Sequence, residues 1–174
     1  MNISDFSTKQ IITSWDFISP ALSVFSAGGN TSATGWQTAN RAIYMPVIVY
    51  KPLTIDTFFV SNSGASGNFD VGLFLPDQTV IATTGSTGQS ANVFQKVTVT
   101  AFNITPRVYY FGVSMDNTTG GMTFFSSIGT VAILDGLGIK QQSTAFPLPS
   151  PAVFATITDT RIPLVGMIST GLTA

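Results

Sequence analysis

Glutamate is absent from all 174 residues and lysine occurs only four times, so the charged side chains that best support a solvated helix are nearly missing. In their place, β-branched and aromatic residues recur in short bursts divided by Gly, Ser, Asn and Pro, which is the spacing of strands and turns. The clearest burst is Phe69 to Leu75, where Phe69, Val71, Leu73 and Leu75 fall on one face and Asp70 and Gly72 are among those on the other. Pro76-Asp77-Gln78 then turns the chain into Thr79 to Thr83, which predicts a hairpin. In a further strand, Val93, Val97, Val99 and Ala101 alternate with Phe94, Lys96, Thr98 and Thr100. Val108 to Met115 is apolar on both faces and is therefore expected at the centre of a sheet or at a subunit contact.

Ala42 to Tyr50 and Leu53 to Ser61 read as a strand pair joined at Lys51-Pro52, with Pro46 giving the first an edge or a bulge. Met122 to Ser126, Val131 to Leu134, Ala152 to Thr158 and Arg161 to Ile168 supply more strands. The total predicts an all-β fold, a jelly-roll-like β-sandwich of about eight to ten antiparallel strands, in a chain long enough for one domain. Residues 41–174 form the expected sandwich and residues 1–40 an N-terminal extension. The apolar residues of that extension, among them Ile11, Ile12, Trp15, Phe17, Leu22 and Val24, precede a Gly/Ser stretch from Ser26 to Gly35. They suit either the first strands of the sandwich or an arm laid on a neighbouring subunit.

Only 9% of the residues are charged, where a soluble domain carries roughly 25%. A surface of Ser, Thr, Asn, Gln and Gly loses less on desolvation than ions do, so broad patches can be buried against a neighbour. The seven Lys and Arg are scattered singly from Lys9 to Arg161, which predicts no nucleic-acid and no membrane partner. With no His, Cys or Glu, the usual proton shuttles and thiolate sites are missing, and neither a cofactor nor an enzymatic activity is expected. Asp56, Asp70, Asp77, Asp116, Asp135 and Asp159 are spread one per strand end or turn, where Asp typically bonds its own backbone. Asp116-Asn117-Thr118-Thr119-Gly120 offers oxygens to calcium but lacks the carboxylate density that gives affinity. Gly64-Ala65-Ser66-Gly67 falls short of a nucleophile elbow, since its second glycine is misplaced by one position. Trp15, Trp36, Tyr44, Tyr50, Tyr109 and Tyr110 are the interaction candidates: their rings could stack on a sugar, while their place within apolar strand patterns favours packing in a core or interface. The first ten residues lack the charged and apolar regions of a secretion signal, so synthesis in the cytoplasm is expected.

Three stretches carry a resemblance: NRAIYMPVIVYKPLTIDTFFV, SGNFDVGLFLPDQTVIATTGST and FNITPRVYYFGVSMDNTTGGMTFF. Together they span Arg41 to Phe125, and the tail segments AFPLPSPAVFA and RIPLVGMI follow the same pattern, with Pro147, Pro149 and Pro151 holding an extended run. The chain thereby resembles a jelly-roll structural module of tailed-bacteriophage virion proteins. That resemblance implies a capsid decoration (cement) protein on the outer particle surface, a head-fibre knob or a tail accessory protein, made in the host cytoplasm. It further implies a homo-oligomer, with a trimer favoured, whose partners are the major capsid protein or other virion subunits. As a fibre module the chain would instead bind a receptor or surface glycan. The resemblance brings no catalytic residues.

Overall fold

The computed structural model describes residues 11–13, 31–91, 94–125 and 130–171. Among them the order is β1 (Ile11–Thr13), β2 (Thr31–Gly35), β3 (Ala42–Val49), β4 (Leu53–Ser61), β5 (Asn68–Phe74), β6 (Val80–Thr83) and β7 (Thr87–Gly88). There follow β8 (Phe94–Ile104), β9 (Arg107–Met115), β10 (Gly121–Phe125), α1 (Val131–Gly136), β11 (Lys140–Gln142), β12 (Ala155–Thr156), β13 (Ile162–Pro163) and β14 (Val165–Gly171). Nine of these fourteen strands have four residues or more, and the fold is an all-β antiparallel sandwich.

The large sheet runs β12-β11-β3-β9-β5-β6, with β7 also pairing β5; the small sheet runs β1-β14-β4-β8, and a three-stranded sheet runs β13-β10-β2. Alternation directs Met45, Val47, Val71, Leu73, Phe111 and Val113 of the large sheet against Leu53, Ile55, Phe58, Val60 and Met167 of the small one. The central place of β9, between β3 and β5, answers the two-sided apolar character of its sequence. The β5–β6 hairpin forms at the expected Pro76-Asp77-Gln78 turn.

Ala42 to Ser61 and Phe94 to Met115 form one antiparallel ribbon, folded so that half lies in each sheet: β3 pairs with β9 and β4 with β8. The bend falls at Tyr50-Lys51-Pro52 on one strand and Thr105-Pro106 on the other. Tyr109 fixes it, since its hydroxyl accepts from the Thr105 N–H and donates to the Thr105 carbonyl, both at 2.9 Å. The expected β3–β4 pair is therefore corrected: the two strands sit in opposite sheets, because Pro52 follows a corner rather than a hairpin turn. Pro46 lies beyond the last residue pair between β3 and β11, where β3 has an open flank.

Other expectations change for local reasons. Val131 to Leu134 is helix, not strand; a short apolar run has no decisive period, and here Val131 and Leu134 meet the core while Ile133 faces out. Ala101 does not share a face with Val97 and Val99, because a register shift between the Thr57–Thr98 and Ile55–Phe102 pairs turns Ala101 outward and Phe102 inward. Arg161 to Ile168 divides between β13 in the three-stranded sheet and β14 in the small one. Of Ala152 to Thr158 only Ala155–Thr156 is strand.

The preceding segment, Ser143 to Phe154, crosses the outer face of the large sheet as an irregular strap with repeated bends, not as the extended run expected of its prolines. Its buried residues Ala145, Leu148 and Ala152 cover Ala42, Tyr44 and Phe74, with Val80, Tyr110 and Phe154 at the rim. Within the N-terminal extension, β1 pairs with β14 and β2 with β10 of the same chain.

Candidate interaction surface

The strap leaves part of the large sheet's outer face bare near the ribbon's bend. Ile48 on β3 and Val108 on β9 are register partners there, and each is 40% exposed. Tyr50, at the corner just beyond, is 81% exposed. Lys51 follows it, and the Arg107 guanidinium lies 5.7 Å from the centre of the Tyr109 ring. Of this group, the exposed aromatic ring and the arginine are residue types enriched at protein contacts.

The other aromatic candidates divide. Trp36 is buried; its indole N–H donates to the Arg41 carbonyl at 3.0 Å and its ring packs 5.8 Å from that of Phe124. Tyr44 is buried under the strap, donating to Gln142 Oε1 at 3.0 Å, and burial followed by the nearby Asp70 carboxylate pushes its hydroxyl well above the usual phenol range. Tyr109 is the buried corner pin. These three are packing residues and not an exposed stacking platform: Tyr44 and Tyr109 lie in strands whose faces are covered, and Trp36 is buried just after β2. Tyr110 is half-buried against Phe154, with ring centres 4.8 Å apart. Trp15 lies outside the described residues. The chain matches no protein-family model, no curated protein and no solved structure.

At the far end of the ribbon, three Gly/Ser/Asn-rich loops meet in a hydrogen-bonded cluster. Asp116 accepts from the Asn68 N–H and side-chain amide, both at 3.0 Å, and Asn117 donates to the Ser66 carbonyl at 2.9 Å. Gln89 accepts from the Ser66 N–H at 3.2 Å and donates to Asn62 at 3.0 Å and to the Gly121 carbonyl at 2.7 Å. Asn62 donates in turn to Gln95 at 2.6 Å. The oxygens weighed above as calcium ligands are thus engaged by the loops: Asn117 Oδ1 accepts the N–H groups of Thr119 and Gly120. Burial raises the Asp116 carboxyl, but the hydrogen bonds from Asn68 and Asn117 outweigh it and hold it below the usual range.

The remaining aspartates act locally or in pairs. Asp77 accepts from the Thr79 N–H, which lowers its carboxyl, and Asp56 accepts from the Thr57 hydroxyl. Asp135 pairs with Lys140 at 2.7 Å. Asp159 is buried, accepts from the Arg161 N–H and lies 3.7 Å from the Arg161 side chain; burial dominates and raises it. Among the described residues, no three His, Cys, Asp or Glu side chains gather as metal ligands. Where the open edges of β6 and β8 approach, a depression of about 330 Å³ is lined by Ile81, Ala82, Val99, Phe102 and their threonine neighbours, and it holds no ionisable group.

Asp70 lies on the expected face of β5, opposite Phe69 and Val71, but the turn role expected of it is corrected. It is no turn residue but lies inside β5, fully buried, with Oδ2 accepting the Leu148 N–H at 2.9 Å and Oδ1 the Thr84 hydroxyl at 3.1 Å. The available signal was an aspartate in mid-strand between Phe69 and Val71, next to a later segment rich in proline.

Proposed function

We propose that this chain is a virion structural protein of a bacteriophage, a capsid decoration (cement) protein that binds the outer surface of the shell and stabilises it. The observation that carries the reading is the uncovered corner of Ile48, Tyr50 and Val108 on a molecule of very low charge. Such a surface is suited to burial against another subunit, and symmetric closure hides it in every copy. The viral setting and the trimer rest on the family resemblance. On this reading the chain does its work by contact and not by turnover, which accords with aspartates engaged in turns, pairs and the strap.

The test is light scattering of the purified chain at high concentration, together with binding to expanded capsids. The wild type is expected to form trimers and to bind, and an Ile48→Ser/Tyr50→Ser double variant to do neither while keeping its strand signature by circular dichroism. A wild-type monomer that fails to bind capsids overturns the reading. One observation favours a second reading, a receptor- or glycan-binding fibre module: the Tyr50 ring is free to stack on a sugar. A glycan-array signal that Tyr50→Ser abolishes would select it.

A further inference from the structure

The strap is fastened through its backbone at several points. Ala145 N–H donates to the Asn40 carbonyl at 2.6 Å and Ala152 N–H to the Gln78 carbonyl at 3.0 Å, while Val153 and Phe154 N–H donate to the side-chain oxygens of Gln142 at 2.7 Å and Gln78 at 3.1 Å, so the outer fastenings end on neutral groups. The middle fastening, Leu148 N–H, ends on the Asp70 carboxyl at 2.9 Å. Pro147, Pro149 and Pro151 have no N–H to add. The centre of the strap therefore hangs on a group that can change its charge.

The elements packed around Asp70 offer that charge no counter-ion. From the strap comes Leu148 N–H, from the loop after β6 come Thr84 and Gly85, from β9 its register partner Ser114, and from β3 the Tyr44 hydroxyl. Among the described residues neither ion pair involves Asp70. Ser114 is fully buried and its hydroxyl makes no hydrogen bond. We propose that Asp70 makes the strap a pH-responsive cover, closed when the carboxyl is protonated and loosened when it ionises.

The sign follows from which state gives the ion water. With the strap closed the carboxylate is dry, and burial outweighs the bonds from Leu148, Thr84 and Gly85, raising the carboxyl above its ordinary value. With the strap lifted, water reaches the carboxylate and the ordinary value returns. Rising pH thus favours the lifted state from the ordinary carboxylate range up to the titration point of the closed form, and beyond that point the effect is constant. Lifting uncovers Tyr44, Phe74 and Tyr110 and extends the apolar surface that begins at Ile48 and Val108.

Amide hydrogen exchange on the full chain from pH 3 to 7, corrected for intrinsic rates, tests this. Protection of the Leu148 amide should fall by about tenfold per pH unit within that window while staying below that of Val113 in β9, so that the strap opens without the sheet. In Asp70→Asn, which keeps an acceptor but cannot ionise, Leu148 protection should be flat. Leu148 protection that ignores pH, or that equals Val113 at every pH, overturns the proposal, as does an Asn variant with the wild-type slope. Should that variant not fold, the wild-type profile decides alone.

Discussion

The two ends of the folded ribbon solve the problem of joining strands in opposite ways. At the Asp116 end, loops rich in Gly, Ser, Asn and Gln turn their polar groups on one another, and Gln89 alone links three of them. At the Tyr50 end, two tight corners suffice, pinned from inside by Tyr109, and apolar side chains are left facing out. A polar loop end can thus be closed, while a short apolar corner is open to a partner. Loop polarity alone would have suggested the reverse.

The sharpest way to break the closed end is Gly67→Ala. Gly67 has φ +69° and its added methyl would strike the Asp116 and Asn117 side chains, so a loss of about 3 kcal/mol or more is expected in denaturant titration. Gly85, with φ +63° and nothing near its Cβ position, should lose only about 1 kcal/mol on the same change. At the corner end Tyr109→Phe removes both bonds to Thr105 and should lower stability by about 1 to 2 kcal/mol, again by denaturant midpoint.

Acid separates the ends further. The Asp116 carboxyl is held low in the folded chain, so its contribution is present above the ordinary carboxylate range and is lost as pH falls through its folded value. Exchange from the Asn68 and Gly120 amides should therefore speed up in strong acid in the wild type, and Asp116→Asn should remove that acid step. The smallest effect on folding belongs to Tyr50→Ser, within about 0.5 kcal/mol, because the ring is exposed and makes no contact that folding needs. Its effect on assembly, read by light scattering, should be far larger than its effect on the denaturation midpoint.

The sequence made the architecture legible where a single local rule decides. Alternation along Phe69 to Leu75, the Pro76-Asp77-Gln78 turn and the two-sided apolar run at Val108 to Met115 were enough to place the hairpin and the central strand. It was least legible where distant segments decide. Nothing near Lys51-Pro52 separates a hairpin from a change of sheet, and the turn of Ala101 to the outside depends on how β8 meets β4. The candidate surface was half legible for the same reason. Exposure of a tyrosine depends on what lies over it, and the cover of Tyr44 comes from residues a hundred positions later.

The bent ribbon also bears on how the molecule comes apart. Because β3–β4 and β8–β9 are each one continuous run of chain, peeling β8 from β4 pulls at the corner that holds β9 to β3. Neither layer has a seam of its own along which to detach, so heat or denaturant should melt both in a single cooperative step. Their pairing also joins segments far apart in the chain, so refolding should be slow for a protein of this length.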